Sequence, residues 1–353
     1  MTFAHRWLRL FVVVALVAGC GSSKDTHVDA PRTGPSASTA ATSASSAPVS
    51  SAIASATPAP TQTTAPAPAT QWRPLLFRIE ARGAGANPSY LFGTIHVPDP
   101  RLATFPPALE SAVTASNEIV NEMPLDKAND PLAMMSAFQM PNGKTLATEL
   151  PRPLYDRLKE AFVKKGLGMA FPALEHMKVW AVAAQVALLD HMMEMATGGG
   201  KAIDMTLHDM AKQAGKQTSG LETEAEQLAV FDGLTKDEQA RMLEQTLDQR
   251  DKDLHDGKDP VARLMTLYVA GDEAPLLAEL NGGFDLSRPL DKKLLKRLIT
   301  DRNKIMTDRI AARLHAHPSK TYFFAVGAAH LLGDDGVIAQ LEKKGMKIER
   351  VTP

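Results

Sequence analysis

The stretch TYFFAVGAAHLLGDDGVIAQLEKKGMKIERV, residues 321–351, decides the fold class of this chain. Its aromatic, apolar start at Thr321–Val326 predicts a buried strand, because aromatic and β-branched side chains are enriched in strands. The spacing predicts a helix over Asp335–Lys344 and a last strand over Lys347–Val351. A strand followed by a helix and another strand is typical of an α/β sheet.

The same alternation is found at the start of the folded part, which we expect near Trp72. The predicted elements there are strands at Leu75–Glu80 and Tyr90–Thr94 around a turn at Gly83–Pro88, a helix at Pro106–Ser116 and a strand at Glu118–Glu122. In between, the predicted elements are helices at Pro153–Lys165, Ala173–Met195, Ala202–Ala214, Thr223 to about Ala270 and Asp291 to about His315, with a short strand at Gln217–Leu221. The sequence therefore predicts an α/β (α+β) fold, in which a central mixed sheet has flanking helices and a helical insertion.

The first seventy residues predict an exported, lipid-anchored protein on a long tether. Met1–Cys20 combines a basic start with a short apolar run, Leu10–Val17, and then small residues, which is typical of an export signal. Its end, VAGC, resembles a lipobox and implies cleavage before Cys20 and acylation there; an ordinary signal peptide with an incidental cysteine is the alternative. Residues 21–70 are almost entirely Ser, Ala, Thr and Pro, which predicts a disordered tether. The folded domain is then expected over residues 71–353.

Composition excludes several classes of function. The chain has 353 residues, a formal net charge of −1 and 44% hydrophobic residues. A packed core is therefore expected, and a general nucleic-acid binder with a basic face is not. Cys20 is the only cysteine, which excludes an intramolecular disulfide and a thiolate metal site. Any metal would need His, Asp or Glu ligands.

Four candidate residues follow predicted strands in the same way. His96 ends LFGTIH, Glu122 ends EIVNE, Glu222 ends QTSGLE and His330 ends YFFAVGAAH. Ligands of open α/β sheets bind at the carboxyl ends of strands, so we expect these side chains to meet in one crevice. Both histidines end a Gly-x-x-His segment, whose glycines, Gly93 and Gly327, permit a tight exit from the strand.

Two imidazoles and two carboxylates suit a divalent ion such as zinc, manganese or cobalt. Such an ion polarises a carbonyl, and a carboxylate that is not a ligand could act as general base. Each residue also has a structural interpretation: the histidines could be packing residues, Glu122 could cap a helix or pair with a lysine, and Glu222 could stabilise a helix start. No Walker loop, Gly-x-Gly-x-x-Gly, His-Glu-x-x-His or Gly-x-Ser-x-Gly motif is present in the sequence.

Other polar residues of the domain are more ambiguous. Arg302 and Asn303 in DRNKIMTDRI are either a cationic clamp with an orienting partner or part of a solvated charged face. Asp204 is interpreted as an acid at a helix start. The remaining histidines, interpreted as surface or packing residues, are His176, His191, His208, His255, His315 and His317.

Six segments resemble, in order, the TraB/GumN (TraB/PrgY/GumN) family, which is similar to the Tiki metalloprotease group. They are Leu91–Asp99, Val120–Asp126, Ile203–Lys216, Gly220–Leu228, Asp301–Ile310 and Phe324–Val351. Together they span almost the whole region from Trp72 onward, and the last segment is the most specific. The resemblance implies a fold similar to the erythromycin-esterase (EreA) and ChaN-like proteins.

The resemblance also implies site residues, because paired Gly-x-x-His motifs and an acidic residue form the proposed metal site of that family. The residues carried over are His96, Glu122 and His330 as metal ligands and Glu222, Arg302 and Asn303 as catalytic residues. The chain departs from the family pattern at Pro124, where an acidic residue is more usual. Glu118 is therefore kept as a second candidate for the acidic ligand.

Three functions remain open at this point. The leading hypothesis is a divalent-metal-dependent hydrolase of the bacterial cell envelope, expected to cleave peptide bonds, with Glu222 as base or orienting residue and Arg302 positioning the substrate. The second is a non-catalytic envelope protein that sequesters a peptide, haem or a metal in the same crevice. The third is a purely structural envelope component. The expected partners are a peptide or protein substrate and the membrane, through acylated Cys20 on the periplasmic side, with the outer membrane favoured.

Overall fold

One sheet of six strands organises the molecule. The strands are β1 Leu76–Glu80, β2 Ser89–Thr94, β3 Glu118–Asn121, β4 Gln217–Gly220, β5 Tyr322–Gly327 and β6 Lys347–Arg350. Their order across the sheet is β4-β3-β5-β2-β1-β6. The computed structural model describes residues 72–80, 85–125, 136–141, 143–198 and 200–352, called the described residues below. The predicted export signal, Cys20 and the tether lie outside them.

The sheet is mixed, as the sequence predicts. β2 pairs with β5, β5 with β3 and β3 with β4, all in parallel. β1 is antiparallel to both of its neighbours, β2 and β6. The four parallel strands end at the same edge, with Thr94 opposite Gly327 and Asn121 opposite Gly220. Any polar residue that directly follows one of these strands is therefore brought to that edge.

The central strand β5 is buried along its whole length. A parallel strand that is covered on both faces needs a continuous apolar run rather than alternation, and YFFAVG supplies it. Its neighbour β2 adds Phe92, whose ring lies 5.8 Å from that of Phe323. Trp72 is 4% exposed and packs edge-on against Phe92 and Phe105, so the first described residue already belongs to the core.

Helices flank the sheet and fill the long connections on either side of β4. Their bounds are α1 Pro107–Ala115, α2 Leu146–Glu149, α3 Arg152–Lys164, α4 Phe171–Leu174, α5 Val179–Ala187, α6 Met192–Thr197, α7 Ile203–Gln213, α8 Glu224–Asp232, α9 Lys236–His255, α10 Pro260–Ala270, α11 Glu273–Asn281, α12 Pro289–Leu295, α13 Asp301–Ala316, α14 Ala328–Leu331 and α15 Val337–Lys343. A π-helical turn, Lys296–Thr300, joins α12 to α13. No helix among the described residues is long and apolar enough to cross a membrane.

The single helix predicted over Ala173–Met195 is wrong, because the structure has α4, α5 and α6 there. Met177 forms an isolated antiparallel bridge with Gln139, and the Lys178 N–H donates to the Phe138 carbonyl over 2.7 Å. These backbone bonds require an extended chain between α4 and α5. Tertiary pairing therefore overrides the helical spacing of the sequence.

The long helical region predicted from Thr223 to about Ala270 is divided into α8, α9 and α10. A capping box starts α9: the Thr235 hydroxyl accepts from the Glu238 N–H, and the Glu238 carboxylate accepts from the Thr235 N–H. The Asp259 carboxylate accepts from the Ala262 N–H and caps α10. Because each cap satisfies N–H groups that a continuous helix would use internally, the breaks are stable.

Candidate functional site

The four polar residues that follow the parallel strands lie together at the carboxyl edge of the sheet. His96 and Glu122 come just after β2 and β3, Glu222 comes after β4, and His330 lies in α14. Their exposed fractions are 4%, 6%, 3% and 0%, respectively. The fold thus places two imidazoles and two carboxylates in a buried group, which we call the strand-end cluster.

Gly327, the last residue of β5, lies in the middle of the strand-end cluster. A Cβ atom at this position would be 3.0 Å from Glu122 Oε1, 3.5 Å from His330 Cδ2 and 4.0 Å from His96 Nε2. The carboxylate and both rings therefore approach one point. The expected tight exit from the strand is not the reason for a glycine here, since its φ of −54° is open to any residue. Glycine instead leaves room for Glu122, whose Oε1 accepts its N–H over 2.5 Å.

Each imidazole is held through Nδ1 and turns its Nε2 towards the cluster. His96 Nδ1 lies 3.3 Å from Asp204 Oδ1, and His330 Nδ1 lies 2.7 Å from Asn303 Oδ1. Within the described part of the chain, neither buried Nε2 atom has a hydrogen-bond partner. A buried polar atom without a partner is costly. Metal-binding histidines show the same arrangement, in which the second ring nitrogen is held by a carboxylate or carbonyl.

Arg302 joins the two glutamates. Its Nη2 lies 2.6 Å from Glu122 Oε2 and 2.7 Å from Glu222 Oε2, and its Nε lies 3.0 Å from both oxygens of Glu222. Gln227 Nε2 donates to Glu122 and Glu222 over 3.3 and 3.4 Å. Removing the guanidinium would leave buried carboxylates without their countercharge, so the three charges form one structural unit.

These contacts move the pKa values of the cluster apart. Burial opposes ionisation of Glu122, but the Arg302 charge, the two imidazoles and the Gly327 N–H together outweigh it, and the pKa of Glu122 falls to about 2. Burial, reinforced by Arg302, lowers the pKa of His330 to about 3. Burial also acts to lower the pKa of His96, but the Asp204 carboxylate outweighs it and raises that pKa above 6.5. His330 is therefore a neutral imidazole at pH 7, which is the form that binds metals.

The donor chemistry of the cluster fits a divalent ion. Imidazole nitrogens and carboxylate oxygens are ligands for zinc and similar metals. The cluster and its direct contacts include three buried carboxylates, those of Glu122, Glu222 and Asp204, and one buried guanidinium, that of Arg302, so its formal charge is −2 when both histidines are counted as neutral. Glu122 Oε1 is 3.9 Å from His330 Nε2. The described residues nevertheless contain no group of three or more His, Cys, Asp or Glu already arranged to hold an ion.

Two contacts were missed from the sequence, and one candidate was misplaced. Asp204 is not only an acid at the start of α7, since it also holds His96; its position in the family-like segment Ile203–Lys216 was the available signal. Gln227 gave no sequence signal.

Arg302 and Asn303 are 6% and 1% exposed, so the solvated-face interpretation is wrong. Glu118 lies at the opposite end of β3, where its carboxylate is 2.6 Å from Lys320 Nζ, so it is wrong as a second candidate ligand.

The matches to known proteins cover the folded part of the chain that contains the strand-end cluster. The TraB/PrgY/gumN family model matches residues 75–350. The chain is 30% identical over 309 residues to Metalloprotease TIKI2 of Danio rerio, covering 75% of this chain and 59% of that protein. It is 28% identical over 303 residues to Metalloprotease TIKI1 of Homo sapiens, covering 74% and 59%. The chain therefore spans about three fifths of the length of these relatives. No solved structure gives a significant match.

Proposed function

This chain belongs to the TraB/PrgY/gumN family, and on that premise we propose that it is a divalent-metal-dependent hydrolase that cleaves peptide bonds. The names of the relatives, metalloproteases at 26–30% identity, support the class of reaction. The observation that carries the proposal is a pair of buried Nε2 atoms that have no hydrogen-bond partner among the described residues. That of His330 lies 3.9 Å from Glu122 Oε1, and that of His96 lies 4.0 Å from the Cβ position of Gly327, beside the same carboxylate. A cation would satisfy both nitrogens and balance the formal charge of −2.

His96 and His330 are the proposed ligands, with Glu122 as the third. A divalent ion at this place would supply Lewis-acid polarisation of the substrate carbonyl. Asp204 and Asn303 hold the two rings at Nδ1, so that each Nε2 faces the cluster. The two rings need no reorientation to bind an ion, because the contacts that hold them already exist.

The contacts of Arg302 favour one of the two roles considered for Glu222. Both oxygens of Glu222 accept from the guanidinium, which favours an orienting role over that of a general base. Arg302 itself keeps Glu122 ionised, as the low pKa of that carboxylate indicates. The proposed role of Arg302 is therefore to fix both glutamates, in addition to any contact with the substrate.

The proposed location is the bacterial cell envelope, with Cys20 acylated and anchored on the periplasmic side of the outer membrane. The support is the VAGC sequence at residues 17–20 behind a short apolar run and the single cysteine at the position that a lipobox requires. Two or more acyl chains at one terminus are sufficient for stable attachment to a membrane.

The test is to measure the metal content and peptide hydrolysis of the full chain and of His96→Ala and His330→Ala. We expect each variant to lose at least tenfold in metal affinity, because one of two imidazole ligands is gone, and to lose hydrolysis with it. His315→Ala, at an exposed position, is the matched control. Circular dichroism verifies that each variant is folded. Stoichiometric metal retained by both site variants would sink the proposal.

A non-catalytic binding protein is the second candidate, and one observation favours it. Both glutamates that could serve as general base are held by Arg302, and a site without a free base is better suited to capture than to turnover. In the same experiment this candidate predicts tight peptide binding without hydrolysis, in the presence and in the absence of a chelator.

A further inference from the structure

An apolar recess opens directly beside the strand-end cluster. Its residues come from the chain after β2, from the start of α14 and from the helix pair α10 and α11. They are Thr94, Ile95, His96, Gly327, Ala328, Ala329, Leu264, Tyr268, Leu276 and Leu280. His96 and Gly327 line the recess and also meet in the cluster, so a group placed in the recess lies beside His96, whose Nε2 has no hydrogen-bond partner among the described residues.

The walls of the recess are apolar and fixed. Leu264, Tyr268 and Leu276 are 0–1% exposed and belong to the core, so they cannot retreat without opening it. The only hydroxyl among these three, that of Tyr268, donates to the Gly93 carbonyl over 2.7 Å. Its ring therefore presents carbon atoms to the recess. A charged group placed there would lose its hydration without gaining a partner.

The size of the recess limits what it can hold. The recess has a volume of about 300 Å³ when the mouth that is open to solvent is included. Much of that space is open solvent at the mouth, so the enclosed part is smaller than a pocket for a complete small-molecule ligand. It suits one aliphatic side chain rather than an aromatic ring or a complete ligand such as haem.

We propose that this recess is the specificity pocket of the hydrolase and takes a small aliphatic side chain of the substrate, next to the peptide bond that is cleaved. The inference rests on the proposed function and deepens it by naming the substrate class: peptides with alanine or valine at the position beside the scissile bond. Leu280, the half-buried lining residue contributed by the end of α11, is proposed to set the upper limit on size.

The test compares blocked pentapeptides, two glycines on either side of a variable residue that is glycine, alanine, valine, leucine or lysine. Binding to the full chain is measured by calorimetry with a chelator present, and hydrolysis is measured with added zinc. We expect alanine and valine to exceed glycine and lysine at least tenfold in both assays, since one methylene in such a pocket changes selectivity by about tenfold or more.

Leu280→Ala enlarges the pocket and should shift the ratio of leucine to valine peptides about tenfold towards leucine. Leu277→Ala, on the same helix and half-buried outside the recess, is the matched control and should leave the ratio unchanged. Selective binding without hydrolysis would reject the hydrolase and retain the pocket. Equal treatment of all five peptides, no binding of any, or the same shift in both leucine variants would overturn the pocket itself.

Discussion

At the scale of single residues, Asp204 controls how His96 is presented. The carboxylate contacts Nδ1 through Oδ1, and its Oδ2 has no hydrogen-bond partner among the described residues. This single contact therefore orients the His96 ring and contributes to the rise in its pKa. A neutral isostere separates these two effects, because it keeps the shape and removes the charge.

Asp204→Asn should lower the pKa of His96, because the charge that offsets burial is gone. It should also weaken metal binding by about 10–100-fold, as changes behind a metal-binding histidine do. Imidazole NMR of the metal-free protein gives the pKa, and a competition assay gives the affinity. Asp209→Asn, on the same helix with a side chain that is 39% exposed and paired with Lys201, is the control. An unchanged pKa in Asp204→Asn would show that this carboxylate does not act on His96.

At the scale of elements, side-chain contacts near the amino-terminal ends of the parallel strands connect β3, β4 and β5. Glu118, at the start of β3, accepts from Lys320 Nζ over 2.6 Å and from the Ser219 hydroxyl of β4. Lys320, just before β5, also donates to Gln217 over 2.7 Å. The pair is partly shielded, with side chains 13% and 27% exposed, so salt screens it less than a surface pair. These contacts hold β3, β4 and β5 in the register that brings their carboxyl ends to the strand-end cluster.

Glu118→Gln should lower the free energy of unfolding by about 1–2 kcal/mol at pH 7, which is the contribution of a hydrogen bond to a charged group reduced for the solvent screening of a partly exposed pair. Burial opposes ionisation of Glu118, but Lys320 and Ser219 prevail and hold its pKa below 4.5. A depressed carboxyl pKa adds stability above pH 4.5, and that stability is lost as the pH falls through the folded-state value.

Denaturant unfolding between pH 8 and pH 3 measures this contribution. The difference between the natural chain and Glu118→Gln should be constant above pH 6 and should shrink below pH 4.5. Glu110→Gln, on the exposed face of α1, should follow the natural chain throughout. A difference that persists unchanged to pH 3 would refute the ionic origin of the effect.

At the scale of the whole molecule, the proposed anchor and the strand-end cluster belong to different parts of the chain. Cys20→Ser should release the protein from the membrane of a Gram-negative host and abolish labelling by radioactive palmitate, because no other cysteine exists. Ser22→Ala, two residues away, is the control that should remain labelled. Fractionation of the Cys20→Ser protein with the membrane would contradict the anchor.

The sequence by itself located the strands along the chain: β3 and β5 are short, largely apolar runs, and β4 (QTSG) and β6 (KIER), which are not, stand between predicted helices and turns. It also singled out His96, Glu122, Glu222 and His330, because a residue that follows a parallel strand shares one sheet edge with the others. Helix α1 formed within one residue of its predicted ends, Pro106 and Ser116, for the same reason: its signals are local.

Only the tertiary structure decided what depends on distant segments. The break between α4 and α5 exists because Met177 pairs with Gln139, and no local pattern encodes that pairing. Asp204 meets His96 across 108 positions of sequence, and Arg302 reaches Glu122 across 180. Contacts of this kind depend on how the helices pack on the sheet, which is why composition and spacing could propose the cluster but not its supporting contacts.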